Sequence, residues 1–183
     1  MAWNANSDLI VGNDLWLYLV DLGSGNEASA MTYAMATSSA SSQALAYATS
    51  CNFEMNADTL EGASKMSCRF NVSRAGQGSY QVTADALYCV QANAAANGCK
   101  TVDDLFEAFI KGANVGWVMA VDKSRDAGEC GVVMGPDSSY PMYWGEASIG
   151  SLSITGGNNE ICSTSISLTG SGAPHKGNDE SNG

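Results

Sequence analysis

Four stretches of this chain alternate apolar and polar residues with a period of two, and no other pattern constrains its folding so tightly. In residues 50–58, Cys51, Phe53, Met55 and Ala57 point one way while Ser50, Asn52, Glu54, Asn56 and Asp58 point the other, which describes a strand with one wet face. Residues 65–72 repeat the pattern, with Met66, Cys68, Phe70 and Val72 set against Lys65, Ser67, Arg69 and Asn71, and SRAGQG follows as a turn. Tyr80, Val82, Ala84, Ala86 and Tyr88 alternate with Gln81, Thr83 and Asp85 in a third strand. In a fourth, Cys162, Thr164, Ile166 and Leu168 oppose Ser163, Ser165, Ser167 and Thr169, after a GGNN turn that suits a hairpin. Strands of this kind pair antiparallel.

Further segments extend the sheet. DLWLYLVD at 14–21 is apolar on both faces, so it is either covered on each side or meets another subunit with its outer face. Residues 115–121 and 140–155 are also strand-like, joined by the polar DKSRDAGEC. One helix is predicted. Thr101 is an N-cap residue, Asp103 and Asp104 complement the helix dipole in the first turn, and Lys111 followed by Gly112 ends the helix. Its buried stripe is expected to be Val102, Leu105, Phe106, Phe109 and Ile110. Many strands and one helix define a mainly β fold, a two-sheet sandwich or small barrel with the helix packed against it.

Two segments fall outside that frame. Residues 23–43 are rich in Ser, Thr and Ala with little periodicity except around Met31 and Met35, and read as an arm or functional loop. Residues 173–183 follow a single domain spanning 1–172 and carry no apolar anchor, so a flexible tail is expected there. The chain of 183 residues suits one domain. No run approaches the roughly 20 apolar residues of a membrane span, and MAWNANSDLI lacks the basic start and apolar stretch of a secretory signal, so no membrane role is expected.

The sequence offers little for catalysis. Its single His, His175, lies in the tail, where nothing would hold a general base, so no serine hydrolase and no other enzyme is expected. The acid pairs Asp58 with Glu61 and Asp103 with Asp104 fit a turn flank and a helix start. Asp122, Asp126 and Glu129 suggest a solvated polar loop and lack EF-hand spacing. Cysteines 51, 68, 89, 99, 130 and 162 show no C-x-x-C pair, so free thiols, no metal and no cofactor are expected. GQG precedes no helix and forms no phosphate cradle, and the Asn71 sequon has meaning only on a secretory route. Trp3, Trp16, Trp117 and Trp144 read as core or subunit contacts before sugar platforms. With 19 acidic and 8 basic residues the net charge is -11, which repels phosphate chains and disfavours tight nucleic-acid binding.

Taken in order, several segments resemble the major tail tube proteins of long-tailed, siphovirus-type bacteriophages. GNDLWLYLVD matches the family's opening G-x-D-L-x-L-x-(I/V) strand, and LAYATSCNFEMNADTLEGASK its A-x-A-T-S-C-like return. SYQVTADALY and the helix TVDDLFEAFIKGANV follow in the family's order. The most specific likeness is YWGEASIGSLSITGGNNEICSTSISLTGSGAP, which resembles Y-x-G-x-A-x-I-x-S-L-x-I-T, a turn, and S-x-S-L-x-G-x-G. The resemblance covers residues 12–173, with a 23–43 connection longer and richer in Ser and Ala than is usual.

It implies a structural virion protein with a two-sheet β-sandwich and flanking helix. Six copies would close a ring, and rings would stack into a hollow tail tube that conducts genomic DNA into the host. Tape measure, tail terminator and distal tail proteins would be its partners, and the virion tail its place after synthesis in the host cytoplasm. The residues expected to face the lumen are Asn52, Glu54, Asn56, Asp58 and Asp85, the alternative being that they face outside solvent. Two other functions fit less of the pattern: the inner tube of a contractile tail or secretion machine, and a monomeric carbohydrate-binding β-sandwich.

Overall fold

A computed structural model describes residues 10, 12–23, 29–62, 72–89, 98–124 and 133–177. Seven strands run β1 (Leu15–Asp21), β2 (Gln43–Ala44), β3 (Ala48–Gly62), β4 (Val72–Leu87), β5 (Asn114–Val121), β6 (Tyr143–Thr155) and β7 (Ser163–Lys176). Helix α1 (Tyr33–Thr37) follows β1, and α2 (Val102–Lys111) precedes β5. Every strand pairing is antiparallel, in the order β2-β1-β5-β6-β7-β4-β3.

The two layers of the sandwich are halves of one hydrogen-bonded sheet. Strand β6 belongs to both: residues 143–148 pair with β5, whereas 149–155 pair only with β7. The change falls at a bulge between Ile149 and Ser151, where Gly150 is the extra residue and bends the strand. The sheet then folds back on itself. Leu17 and Leu19 of β1, Trp117 of β5, and Tyr80 and Val82 of β4 share one core, and the rings of Phe53 on β3 and Trp117 stand 4.9 Å apart.

A second core explains why β1 is apolar on both faces. Tyr18 and Val20 point away from the first core and pack with Val118, Ala120, Met142 and Trp144. Their cover is the 23–43 connection, of which residues 24–28 lie outside the described residues. Met31 and Ala36 are buried on the sheet, and the Ser42 hydroxyl donates to the carbonyls of Met35 and Ala36 at 2.8 and 3.1 Å. The described part of the expected arm is therefore a third layer. Met31, Tyr33, Met35 and Ala36 meet an apolar sheet face that would otherwise be wet.

Helix α2 follows its sequence signals. Thr101 caps it, with its hydroxyl accepting from the Asp104 N–H at 3.4 Å and its own N–H donating to the Asp104 carboxylate at 2.8 Å. Gly112 ends it in the left-handed region at φ 63°. The expected buried stripe is narrower, however: Val102 and Leu105 are buried, while Phe106, Phe109 and Ile110 are exposed.

Three other expectations change. SRAGQG is not a turn but part of β4, paired with the outer half of β3, and the shift between Ala57 and Thr59 is absorbed by the glycine-flanked residues of β4. A Cβ on Gly76 would stand 3.1 Å from the Asp58 carbonyl oxygen, a tight contact that glycine avoids. Residues 174–177 are anchored, since Trp144 stacks on His175 with centroids 4.2 Å apart and its indole N–H donates to the Gly177 carbonyl at 2.8 Å. Asp122 is buried rather than solvated. Residues 65–71 of the predicted second strand, Trp3, Cys68, Cys130, Asp126, Glu129 and the tail 178–183 lie outside the described residues.

Candidate functional site

The face of the sheet turned away from the first core is polar in three complete rows across β3, β4, β7 and β6. Ser50, Asp85, Ser165 and Ser153 form one row. Asn52, Thr83, Ser167 and Ser151 form the next, and Glu54, Gln81, Thr169 and Ser148 the third. Period-two alternation puts each of these side chains on the face opposite Phe53, Val82, Ala84, Ile166 and Leu168, which pack in the core. Glu54 and Asp85 are the only charges in the three rows.

Short hydrogen bonds knit the rows. Asp85 accepts from Ser165 Oγ at 2.6 Å and from Ser50 Oγ at 2.8 Å, joining three strands through one carboxylate. Those two hydroxyls hold the Asp85 carboxyl below its ordinary range, so the face keeps this negative charge. Gln81 Nε2 donates to Ser167 Oγ at 2.7 Å, and Asn56 Nδ2 donates to Glu54 Oε1 at 3.2 Å. The result is a hydroxyl-rich surface with fixed negative charge.

The structure brings Asn52, Glu54 and Asp85 together in these rows. Asn56 and Asp58 continue the same side of β3 past the last β4–β7 pair, on a two-stranded ribbon formed by the outer halves of β3 and β4. The serines of β6 and β7 are not among the residues that the sequence reading expects to face the lumen. Their signal was present as S-x-S-x alternation in both arms of the β6–β7 hairpin.

Both sides of this four-stranded surface end in open edges. Among the described residues, strand β3 is last in the sheet, and residues 149–155 of β6 have no partner on the side away from β7. Because four is even and every pairing is antiparallel, β3 of one copy would lie antiparallel to β6 of the next. Among the described residues, no group of three or more His, Cys, Asp or Glu side chains could hold a metal ion, and no helix is long and apolar enough to cross a membrane. Cys51, Cys89 and Cys162 are free thiols. Trp117 and Trp144 are core residues.

No family model matches the sequence, and neither does any curated protein. Solved structures do match the fold. The chain is similar to a subunit of the tail of an empty gene transfer agent particle with C6 symmetry, at TM-score 0.61 and 14% identity, covering 91% of this chain and 98% of that one. It is similar to the SPP1 tail tube protein at TM-score 0.57 and 14% identity, covering 92% and 79%. A subunit of the six-fold symmetrised anti-feeding prophage baseplate gives 0.53 and 8%, covering 94% and 99%. The fold is thus the one found in tail tubes, in line with the resemblance in the sequence.

Proposed function

We propose that this chain is the structural subunit of a bacteriophage tail tube, with its polar rows lining the bore. The observation that carries this reading is the four-stranded surface with one wet face and two complementary open edges. Open edges left alone invite uncontrolled pairing, whereas a head-to-tail contact that closes on itself consumes both of these edges. Six copies would contribute about 24 strands. At ~4.8 Å between strands and a tilt of ~40°, such a barrel has a backbone radius of roughly 24 Å. After side chains the bore is about 40 Å wide, enough for a nucleic-acid duplex.

The charge suits transport better than capture. At -11 per chain, a ring of six carries about -66, and a lumen of hydroxyls, amides and carboxylates without Lys or Arg in its three rows gives phosphate nothing to release counterions against. Genomic DNA would pass without being held. Asn52, Glu54, Asn56, Asp58 and Asp85 are the lumen-facing residues in this reading, joined by the serines of β6 and β7. Its place is the virion tail, and tape measure, terminator and distal tail proteins are its partners by family resemblance.

Electron microscopy of the concentrated protein should show hollow tubes of stacked six-membered rings. In those tubes a bulky carboxyl-reactive reagent should leave Glu54 and Asp85 unmodified while modifying them in the monomer. Free reaction of both residues on intact tubes would place the polar face outside and sink the lumen assignment.

A further inference from the structure

Helix α2 carries a surface that none of the described residues covers. Phe106, Phe109 and Ile110 have the i, i+3, i+4 spacing of one helix face and are 53, 49 and 68% exposed. The helix packs against β6. Its first turn lies beside Tyr88, whose hydroxyl donates to Asp103 at 3.2 Å, and β5 starts just past its last turn, with Asn114 opposite Ser148. It therefore runs along the part of β6 that lacks a β5 partner, where Ile154 is 51% exposed. An apolar patch beside an open strand edge suits a partner that brings both a strand and an apolar side chain.

This chain itself has such a segment elsewhere. Past Gln81, β4 loses its β7 partner, so the outer halves of β3 and β4 project as a two-stranded ribbon. A ribbon of that kind is marginal in water on its own. Met55, on the opposite face of β3 from Glu54, is 62% exposed, although its neighbour Phe53 packs in the core. If the strand extends the sheet beside β6, that face lies on the same side as α2.

We propose that the β3 ribbon of a second copy of this chain docks here, with its open edge on residues 149–155 of β6 and Met55 against Phe106, Phe109 and Ile110. This rests on the ring reading and names the apolar contact that makes the ring selective. The patch and the ribbon are different surfaces, so the contact can pass from copy to copy around a ring. Strand pairing alone covers little apolar area. The helix patch adds a few hundred Å² toward the roughly 800 Å² per partner of a stable interface.

A photo-crosslinking phenylalanine analogue at position 109, activated in assembled tubes, should join α2 to the peptide containing Met55 of another copy. The variant Phe106→Ser/Phe109→Ser/Ile110→Ser should keep the monomer's melting temperature while its critical concentration for assembly rises about 100-fold. Tubes whose crosslinks fall elsewhere, or assembly of the triple variant at the original concentration, would overturn the contact and leave the ring reading standing. If the unaltered chain forms no rings, both fall. Should the triple variant not fold, the crosslink position alone decides.

Discussion

The hydroxyl of Tyr18 donates to a carboxylate oxygen of Asp122 at 2.5 Å, and both side chains are buried. The same carboxylate accepts backbone N–H groups from Ser124 at 2.8 Å, Met134 at 3.2 Å and Gly135 at 2.9 Å. A charge shielded from water is thus satisfied by protein donors and ties the end of β5 to residues 134–135. Burial opposes ionisation of Asp122, but the hydrogen bonds from Ser124, Tyr18 and Met134 outweigh it and hold the carboxyl below its ordinary range. Burial first, and then Asp122, push the Tyr18 phenol well above its own. Tyr18→Phe removes one donor to a charged group and should cost about 1.5–3 kcal/mol in urea denaturation.

The same pair sets an acid limit. A carboxyl with a folded pKa below its unfolded value of about 3.9 stabilises the fold fully above that pH, and the contribution is lost as pH falls through the folded value. Monomer stability should therefore hold near neutrality and drop below about pH 4. Asp122→Asn should start less stable at pH 7 and lose less on acidification, which thermal melts across pH 3–7 would show. Asp85 is exposed, so its own lowered value contributes little.

Tyr80 occupies the space above Gly170. A Cβ there would stand 2.4 Å from the phenol ring, which is fixed by its hydroxyl donating to the Glu146 carbonyl and by packing against Phe53 and Trp117. Gly170→Ala should destabilise the monomer by about 2 kcal/mol or more through overpacking. Gly12→Ala, which meets nothing within 4 Å, should leave the melting temperature unchanged.

The ends of α2 should each contribute separately. Thr101→Ala removes the cap and is expected to cost about 1 kcal/mol. Gly112→Ala forces a side chain into φ 63° and should cost about 1 kcal/mol. The sites are far enough apart that the double variant should show the sum in chemical denaturation.

The 29–42 layer should behave as core. Met31→Ala should cost about 2–3 kcal/mol, since Met31 is buried against the sheet beside Gly116. Deleting residues 28–42 should abolish the soluble monomer, because Tyr18, Val20 and Trp144 would lose their cover. A deleted chain that stays folded and merely fails to polymerise would restore the arm reading.

The third and fourth alternating segments are readable because strand period and burial agree along them: Tyr80, Val82, Ala84 and Ala86 are buried on one side, and Ile166 and Leu168 likewise. Helix α2 was readable from Thr101 to Gly112 because caps are local chemistry. Misreadings came where local composition and distant contacts disagree. SRAGQG has turn residues, yet β3 lies beside it and a bulge absorbs its glycines. His175 and its neighbours look unanchored until Trp144 is seen to stack on them.

Alternation along the chain by itself determined the third and fourth alternating strands with their wet and dry faces, and the mainly β class, because the side chains of a strand alternate whatever the strand packs against. The composition likewise fixed the acidic balance, 19 acidic against 8 basic residues. Only the tertiary structure decided that Ser50, Asp85, Ser165 and Ser153 form one row, and that Phe106, Phe109 and Ile110 stay uncovered. Register between strands far apart in sequence, and the area left over once the sheet has folded on itself, depend on every contact at once and are not properties of any single segment.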